Sequence, residues 1–289
     1  MEEMNDLLQE IERKSRKMSK GQRNLSRYIL QEYDKAAYMT ANKLGEAVGI
    51  SESTVVRYAH ALGFEGYPEL QEALQNVVRT RLTTLQRMEM LSDESAEKVL
   101  GSVMKADINN LKSAAESVSA EAFAATVDAM CRARKVYILG LRSSAPLAQF
   151  MGYYLSFILD NVAVVTSGIN DVLEQLFRVE EGDLLLGISF PRYSKRTVDA
   201  MRYAREKGAV IAAVTDADTS PLASLSDYNL FVKSDISSFV DSLVAPFSLA
   251  NALIAAAAMQ KKGRSADTFR ELEEIWGKYS VYLEKENRQ

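Results

Sequence analysis

The chain has 289 residues, 47% of them hydrophobic, with 14 Gly and 5 Pro; that is enough for two ordinary domains and excludes a collagenous, mucin-like or linker-rich chain. Its longest nearly apolar stretch, residues 245–259, is interrupted by Pro246, Ser248 and Asn251, so the run of about 20 apolar residues that a membrane span needs is missing. The formal net charge of -4, from 35 Lys and Arg against 39 Asp and Glu, argues against a protein that coats nucleic acid without specificity.

The first residues, MEEMNDLLQEIERKSRK, run acidic and then basic. They lack the apolar core and small-residue cleavage site of a signal peptide, so a cytoplasmic location is expected. A single cysteine, Cys131, and a single histidine, His60, exclude a disulfide framework and a Cys-rich zinc centre and remove most ligands of a catalytic zinc. Neither a metal nor another cofactor is expected. The net charge conceals a local excess: Arg13, Lys14, Arg16, Lys17, Lys20, Arg23 and Arg27 succeed one another with no carboxylate among them. Such a run is by default a solvated helix face, and the neighbouring helices of the chain decide whether it is more than that. Residues 1–90 hold 13 basic and 13 acidic side chains, leaving 22 and 26 beyond, so the deficit belongs to the later part of the chain.

Residues 18–31 place Leu25, Tyr28 and Ile29 at helical spacing, with Ser19 and Gln22 spaced as a capping box. Residues 39–48 predict a second helix, with Thr40 as N-cap, Leu44, Ala47 and Val48 as its buried stripe, and a stop at Gly49. Ser51 then caps a third helix over residues 51–64. A helix, a short Gly-containing turn and a Ser-capped helix make the sequence form of a helix-turn-helix.

In the third helix Val55, Ala59 and Leu62 recur at i, i+4, i+7 and face inward, with Ile50 filling the turn. Ser53, Thr54, Arg57, Tyr58 and, at the edge, His60 and Ala61 are left on or near the outer surface. A recognition helix enters the major groove with its N-terminal residues at base edges. Ser53, Thr54 and Arg57 are therefore the expected readers of double-stranded DNA, and Ser51 is a cap that approaches phosphate. Lys20 and Arg23 of the basic run, with Thr40, complete the set. Arg57 offers a fork to guanine or a grip on phosphate, and the sequence does not choose between them. Tyr58 either packs on the preceding helix or touches DNA. His60, with no second histidine to share a metal, is a surface or phosphate-adjacent residue.

Three stretches carry a dense resemblance over residues 5–80. They are MSKGQRNLSRYIL at 18–30; the core of Thr40, Ala41, Leu44, Gly45, Val48, Gly49, Ile50, Ser51, Glu52, Thr54, Val55, Val56 and Arg57; and the tail of Leu62, Gly63, Phe64, Gly66, Tyr67, Glu69 and Leu70. The segment resembles the N-terminal domain of the RpiR (MurR) family of sugar-responsive transcription regulators. That resemblance implies an all-α, winged-helix-like domain that dimerises on a palindromic operator.

Residues 77–118 read as helical and polar, with Leu82, Leu85, Met88 and Leu91 on one stripe and Val99, Val103, Met104, Ile108 and Leu111 on another. Residues 81–118 are thus expected to form a helical connector between a DNA-binding domain, 1–80, and a second domain, 119–289. The connector packs on a partner subunit or on domain core, and both readings stay open.

After a helix at 121–134 the pattern changes. Short apolar runs at 135–140, 161–167, 183–189, 209–215 and 228–232 alternate with helical stretches at 145–159, 171–177 and 195–207. Strands that alternate with helices and are apolar on both faces make a covered parallel sheet, a doubly wound α/β domain. Ligands of such folds sit at the carboxyl ends of the strands, near helix N-termini. Hydroxyls cluster at three of those ends: Arg142, Ser143 and Ser144 after the first run, Ser189, Arg192 and Ser194 after the third, and Thr215, Thr219 and Ser220 after the fourth. Hydroxyls and backbone N–H groups at a helix start suit an anion such as phosphate, although N-capping alone also accounts for serines there. Asp216 and Asp218 read as a turn before Pro221 rather than a metal pair.

Residues 121–262 resemble a SIS (sugar isomerase) domain through Val136, Tyr137, Ile138, Leu139, Gly140 and Ser143, then Gly182, Asp183 and Ser189, then Lys207, Gly208, Ala209, Val214, Thr215, Asp216, Ser220, Pro221, Leu222, Ala223 and Asp227. The resemblance implies phosphosugar binding through Ser143, Ser144, Ser189 and Ser194. Two departures stand out. Gly140, Leu141 and Arg142 replace the usual Gly-x-Gly, and Pro191 and Arg192 enter the usually small turn after Ser189. Pro191 removes a backbone donor, and Arg192 adds charge and bulk, either as extra grip on an anion or as a narrower pocket.

An aldose–ketose isomerase needs a base near its substrate and often a histidine acid, yet the one histidine lies in the first domain. Glu174 and Glu180 are the carboxylates that could approach the pocket as a base, but Glu180 falls in the loop before the third strand. The expectation is a non-enzymatic, homodimeric or homotetrameric regulator, with Arg142, Ser143, Ser144, Ser189, Arg192 and Ser194 binding a phosphosugar effector. The alternative is a sugar-phosphate isomerase with an accessory helical domain, and a third class is a structural helical oligomer. A helix over 244–262, apolar nearly all round, is expected in the core or a subunit interface. A charged helix over 265–285 carries Phe269, Leu272, Ile275, Trp276, Tyr279 and Leu283 on one stripe.

Overall fold

The apolar spacing of the first ninety residues is realised as helices α1 (Asp6–Ser15), α2 (Lys20–Gln31), α3 (Tyr33–Ala36), α4 (Ala41–Val48), α5 (Glu52–Leu62) and α6 (Tyr67–Arg81). They come from a computed structural model that describes residues 6–81, 88, 95–234 and 240–283. The chain divides into two compact units, Met1–Glu89 and Met90–Gln289. The first is held by Ile11, Leu25, Ile29, Leu44, Val55, Tyr58, Ala59, Leu70 and Leu74, all fully buried.

Local chemistry sets the helix ends. Ser19 and Gln22 form the capping box at α2, and the Thr40 hydroxyl accepts from Lys43 N at α4. Gly49 terminates α4 in the left-handed region at φ 72, a conformation cheap for glycine alone. The turn closes because Gly45 has no side chain: a Cβ there would stand 2.7 Å from the Ile50 carbonyl oxygen. Gly45 is buried in place of Ala47, which is exposed, because the tight approach of α5 draws the buried stripe of α4 toward Ala41, Leu44 and Gly45.

The second unit opens with α7 (Ala96–Ser117) and α8 (Ala120–Arg132) and then alternates β1 (Val136–Gly140), α9 (Ala145–Leu155), β2 (Val162–Val165), α10 (Val172–Gln175), β3 (Leu184–Ile188), α11 (Lys195–Glu206), β4 (Val210–Thr215) and β5 (Tyr228–Phe231). Two helices come after the sheet, α12 (Val244–Gln260) and α13 (Lys262–Lys278). All strand pairs are parallel, in the order β2-β1-β3-β4-β5. Alternate strand residues feed opposite layers, as the period of two requires. Val136, Ile138, Leu184, Leu186 and Val214 pack with α8, α9 and α12. Tyr137, Leu139, Leu185, Ile211 and Ala213 pack with α10 and α11.

Several faces differ from the sequence reading. Leu82, Leu85 and Leu91 lie outside the described residues, and Met88 is exposed. Helix α7 packs on the sheet unit through Leu111 and Ala114, while Leu100, Met104 and Ile108 stay exposed. Helix α12 buries one side, Ala245, Leu249, Ala250, Leu253 and Ala257, and leaves Met259 open on the other. The tail helix begins at Lys262 and ends at Lys278, with Phe269, Ile275 and Tyr279 exposed.

Candidate functional site

The N-terminus of α5 is a cluster of hydroxyls with one guanidinium. Ser51 has the extended backbone of an N-cap, but its side chain caps nothing. Its Oγ lies 3.0 Å from Ser53 Oγ and 2.9 Å from Thr54 Oγ1. Arg57 folds back along the helix, donating from Nε to the Ser53 carbonyl at 3.2 Å and from a terminal nitrogen to Thr54 Oγ1 at 3.4 Å. Ser51, Ser53 and Arg57 are exposed and Thr54 is half-buried. The first turn of α5 thus leaves backbone donors without a side-chain cap beside a long cationic side chain, a surface suited to phosphate and base edges. The expected capping role of Ser51 is corrected: its hydroxyl is drawn into the side-chain cluster.

Tyr58 is also corrected. It is fully buried, and its phenol lies 3.0 Å from the buried Ser26 Oγ of α2. Burial pushes its pKa up to about 12. Val55, Tyr58, Ala59 and Leu62 form the complete i, i+3, i+4, i+7 stripe, so the ring belongs to the core. His60 is exposed, and its Nδ1 lies 3.1 Å from the Phe64 carbonyl, whose oxygen can only accept.

The basic run is not uniform. Arg13 and Lys14 pair with Glu10 at 3.8 and 2.7 Å, and Lys14 Nζ also donates to the Leu62 carbonyl at the end of α5 at 2.8 Å. Lys14 therefore fastens α1 to the negative end of α5. Arg23 donates to the Met18 carbonyl at 2.7 Å, and Lys20, Arg23 and Thr40 remain exposed.

In the sheet unit the strand order reverses between β1 and β3, with β2 on one side of β1 and β4 on the other side of β3. The crevice at such a switch point, outside the carboxyl ends, is where doubly wound folds take ligands. Gly140 pairs with Ile188, so the turns carrying Ser143, Ser144 and Ser189 leave neighbouring strands. A Cβ at Gly140 would stand 2.6 Å from the Ser144 carbonyl oxygen; this glycine lets the turn fold over the strand end. Arg142, where Gly is usual, has φ 56, a left-handed backbone costly for a residue with a Cβ.

The serines do different work. Ser194 caps α11, accepting from Thr197 N at 3.3 Å, and its own N–H donates to Ser189 Oγ at 3.3 Å. Ser144 is buried at the start of α9 and makes no capping bond; the Ala145 N–H donates to the Arg142 carbonyl and Pro146 has no N–H, so the seryl hydroxyls rather than the helix start supply the donors of this turn. Ser143 Oγ donates to Asp241 Oδ2 at 3.0 Å. Arg192 is exposed in the turn between Ser189 and Ser194. Asp216 accepts from the Tyr193 hydroxyl at 2.7 Å, which ties the β4 turn to the β3 turn.

The carboxylates considered as bases are committed elsewhere. Glu174 accepts from Asp171 N in a capping box, and Glu180 pairs with Arg134 at 2.9 Å, beside Asp183 just before β3. That cluster lies at the amino ends of the strands. A cavity of about 280 Å³ lined by Arg132, Asp183, Leu184 and Tyr228 opens on the same side, away from the seryl turns. Among the described residues no group of three or more His, Cys, Asp or Glu side chains forms a metal site. Asp241 is the residue that sequence reasoning missed, because its contact spans 98 positions and no motif marks it.

A helix-turn-helix unit with an open hydroxyl and guanidinium face, joined in one chain to a doubly wound unit with a seryl switch point, defines the class of helix-turn-helix regulators with an attached sheet domain. The profile described as "Helix-turn-helix domain, rpiR family" matches residues 5–80, and "SIS domain" matches residues 129–256. The HTH-type transcriptional regulator HexR of Pseudomonas aeruginosa is 29% identical over 223 residues, 76% of each chain. The sugar isomerase domain of an RpiR transcription factor from Sphaerobacter thermophilus is 31% identical with a TM-score of 0.57, covering 60% of this chain and 96% of that one. The Vibrio vulnificus NanR protein, solved in complex with ManNAc-6P, matches over 96% of this chain and 100% of that one at 19% identity and TM-score 0.57. The chain belongs to the RpiR family, and it is a DNA-binding transcriptional regulator. No helix among the described residues is long and apolar enough to cross a membrane.

Proposed function

We propose that this regulator binds a palindromic operator as a homodimer or homotetramer and releases or tightens its grip when a phosphorylated sugar occupies the switch point of its SIS domain. The observation that carries the reading is the seryl crevice between β1 and β3, with Ser143, Ser144 and Ser189 on turns that leave neighbouring strands and Arg142 beside them. In the DNA-binding domain, 1–80, we assign Ser53, Thr54 and Arg57 to base edges and Lys20, Arg23, Thr40, Ser51 and His60 to phosphate. In the effector domain, 119–289, we assign Ser143, Ser144, Ser189 and Ser194 to the phosphate and Arg142 and Arg192 to its charge. Residues 81–118 connect the two. NanR, a protein of similar fold solved with ManNAc-6P, supports a phosphosugar as the ligand class.

We read the domain as a sensor without turnover, because Glu180 is paired with Arg134 at the amino ends of the strands and the one histidine belongs to the other unit. A regulator of this kind works in the cytoplasm, where DNA and phosphosugars meet. The exposed Leu100, Met104 and Ile108 of α7 and Met259 of α12 support burial against a second copy. The test is a mobility shift of DNA from upstream of the chain's own gene, with a panel of phosphosugars. Arg57→Ala should abolish the specific shift; Ser189→Ala should spare the shift and remove the ligand response. Product formation from a phosphosugar without any DNA shift would overturn the sensor reading in favour of an isomerase.

A further inference from the structure

We propose that Asp241 is an internal stand-in for the effector's anion: its carboxylate occupies the Ser143 hydroxyl while the site is empty, must leave when a phosphate arrives, and transmits that exchange to helix α7. The inference rests on the reading of the switch point as an anion site and adds a residue and a route to it.

The geometry starts at the turn after β1. Ser143 Oγ donates to Asp241 Oδ2 at 3.0 Å, a hydrogen bond of the charge-assisted kind that the same hydroxyl would make to a phosphate oxygen. Two anions cannot share one hydroxyl donor, because like charges at hydrogen-bond separation repel. Phosphate and Asp241 therefore compete, and the carboxylate lowers the apparent affinity of the site for any anion.

The next residue carries the coupling. Ser242 Oγ donates to Asp107 Oδ1 at 2.5 Å, and the Ser242 carbonyl accepts from Ser234 Oγ at 2.6 Å. Asp107 lies near the middle of α7 (Ala96–Ser117), the helix that comes after the DNA-binding domain in the chain. One residue thus reaches into the crevice while its neighbour holds α7. Moving Asp241 off Ser143 displaces the backbone at the position that grips Asp107, so occupancy of one hydroxyl becomes tension or release on one helix.

The experiment titrates inorganic phosphate into the full chain by calorimetry and monitors hydrogen exchange of residues 96–117. Asp241→Asn removes the competing charge with little change of shape, and Asp241→Ser serves as a second variant should the first unfold. The expected result is phosphate binding about tenfold tighter in the Asp241 variants. Exchange around Asp107 should also rise with phosphate in the parent and be raised without phosphate in the variants, and Ser189→Ala should weaken binding in both backgrounds. If parent and Asp241 variants bind phosphate equally while Ser189→Ala still weakens it, the stand-in is refuted and the anion site survives. If phosphate binds none of the chains, or binds without regard to Ser189, the anion site itself fails and the stand-in falls with it.

Discussion

Tyr58→Phe takes one oxygen out of the helical core and nothing from the open face of α5. The phenol is fully buried and 3.0 Å from Ser26 Oγ, which is 1% exposed. The other polar contact of Ser26 is the Met18 sulfur at 3.9 Å, a weak acceptor. The substitution therefore strands a buried hydroxyl and should cost about 1 to 2 kcal/mol. Removing both groups, in Ser26→Ala with Tyr58→Phe, leaves nothing stranded. The double variant should be less destabilised than the sum of the singles by about 0.5 to 1 kcal/mol. Urea unfolding of the full chain, tracked by circular dichroism through the transition of the helical unit, measures these terms. Fluorescence anisotropy with operator DNA, below the transition, should give an affinity within about twofold of the parent, since a core residue makes no base or phosphate contact. A tenfold or so loss of DNA affinity at an unchanged unfolding midpoint would refute the inward assignment, and additive single effects would refute the hydrogen-bonded pair.

Alkaline titration offers a second check. Burial raises Tyr58 and Tyr67 to about 12, so below pH 10 both are protonated folded or unfolded and contribute no slope. Between about pH 10 and 12 only the unfolded chain releases these protons, so stability must fall as pH rises through that window, by up to about 2 to 3 kcal/mol per tyrosine. The near-ultraviolet tyrosinate band should show two phenols appearing with unfolding; their ionisation in the folded helical unit near pH 10 would contradict the burial argument. Gly45→Ala should destabilise the helical unit by about 1 to 3 kcal/mol despite the better helix propensity of Ala, because its Cβ meets the Ile50 carbonyl. Gly101→Ala, in α7 of the second unit and with nothing within 4 Å, should gain about 0.5 to 1 kcal/mol in urea unfolding followed through the transition of that unit. Arg142→Gly relieves the left-handed backbone at φ 56 by about 1 kcal/mol and adds unfolded-state entropy of similar size. Its melting temperature should hardly move while its phosphate affinity in calorimetry drops; a large loss of stability would show that the turn depends on the Arg142 side chain.

The alternation of strands and helices is legible in the sequence because strands covered on both faces read as short unbroken apolar runs, such as Val136 to Leu139, while Val55 to Leu62 repeats at the helical 3.6. Strand order is not, since nothing in β1 or β3 states which neighbour it takes; the seryl turns gain a common crevice only through the Gly140 to Ile188 pairing. Tyr58 is ambiguous in sequence because an amphipathic side chain suits either face, and the i+3 position of the stripe decides for the core. Ala47 loses its expected burial to Gly45 because backbone approach, not hydrophobicity, controls that turn. Asp241 is invisible for a different reason: a hydrogen bond between loops distant in sequence leaves no periodic trace.

The contact between Lys14 and the end of α5 bears on how binding responds to salt. Each cation that neutralises a phosphate releases counterions, and the logarithm of affinity falls with the logarithm of salt at a slope of about -0.9 per phosphate contact. Of the seven cations between Arg13 and Arg27, Arg13 and Lys14 pair with Glu10, so the salt slope measured for DNA binding should fall short of one set by all seven. A shallower electrolyte dependence would make operator binding less sensitive to the ionic composition of the cell. On the proposed assignment, a larger share of the affinity would then fall to Ser53, Thr54 and Arg57.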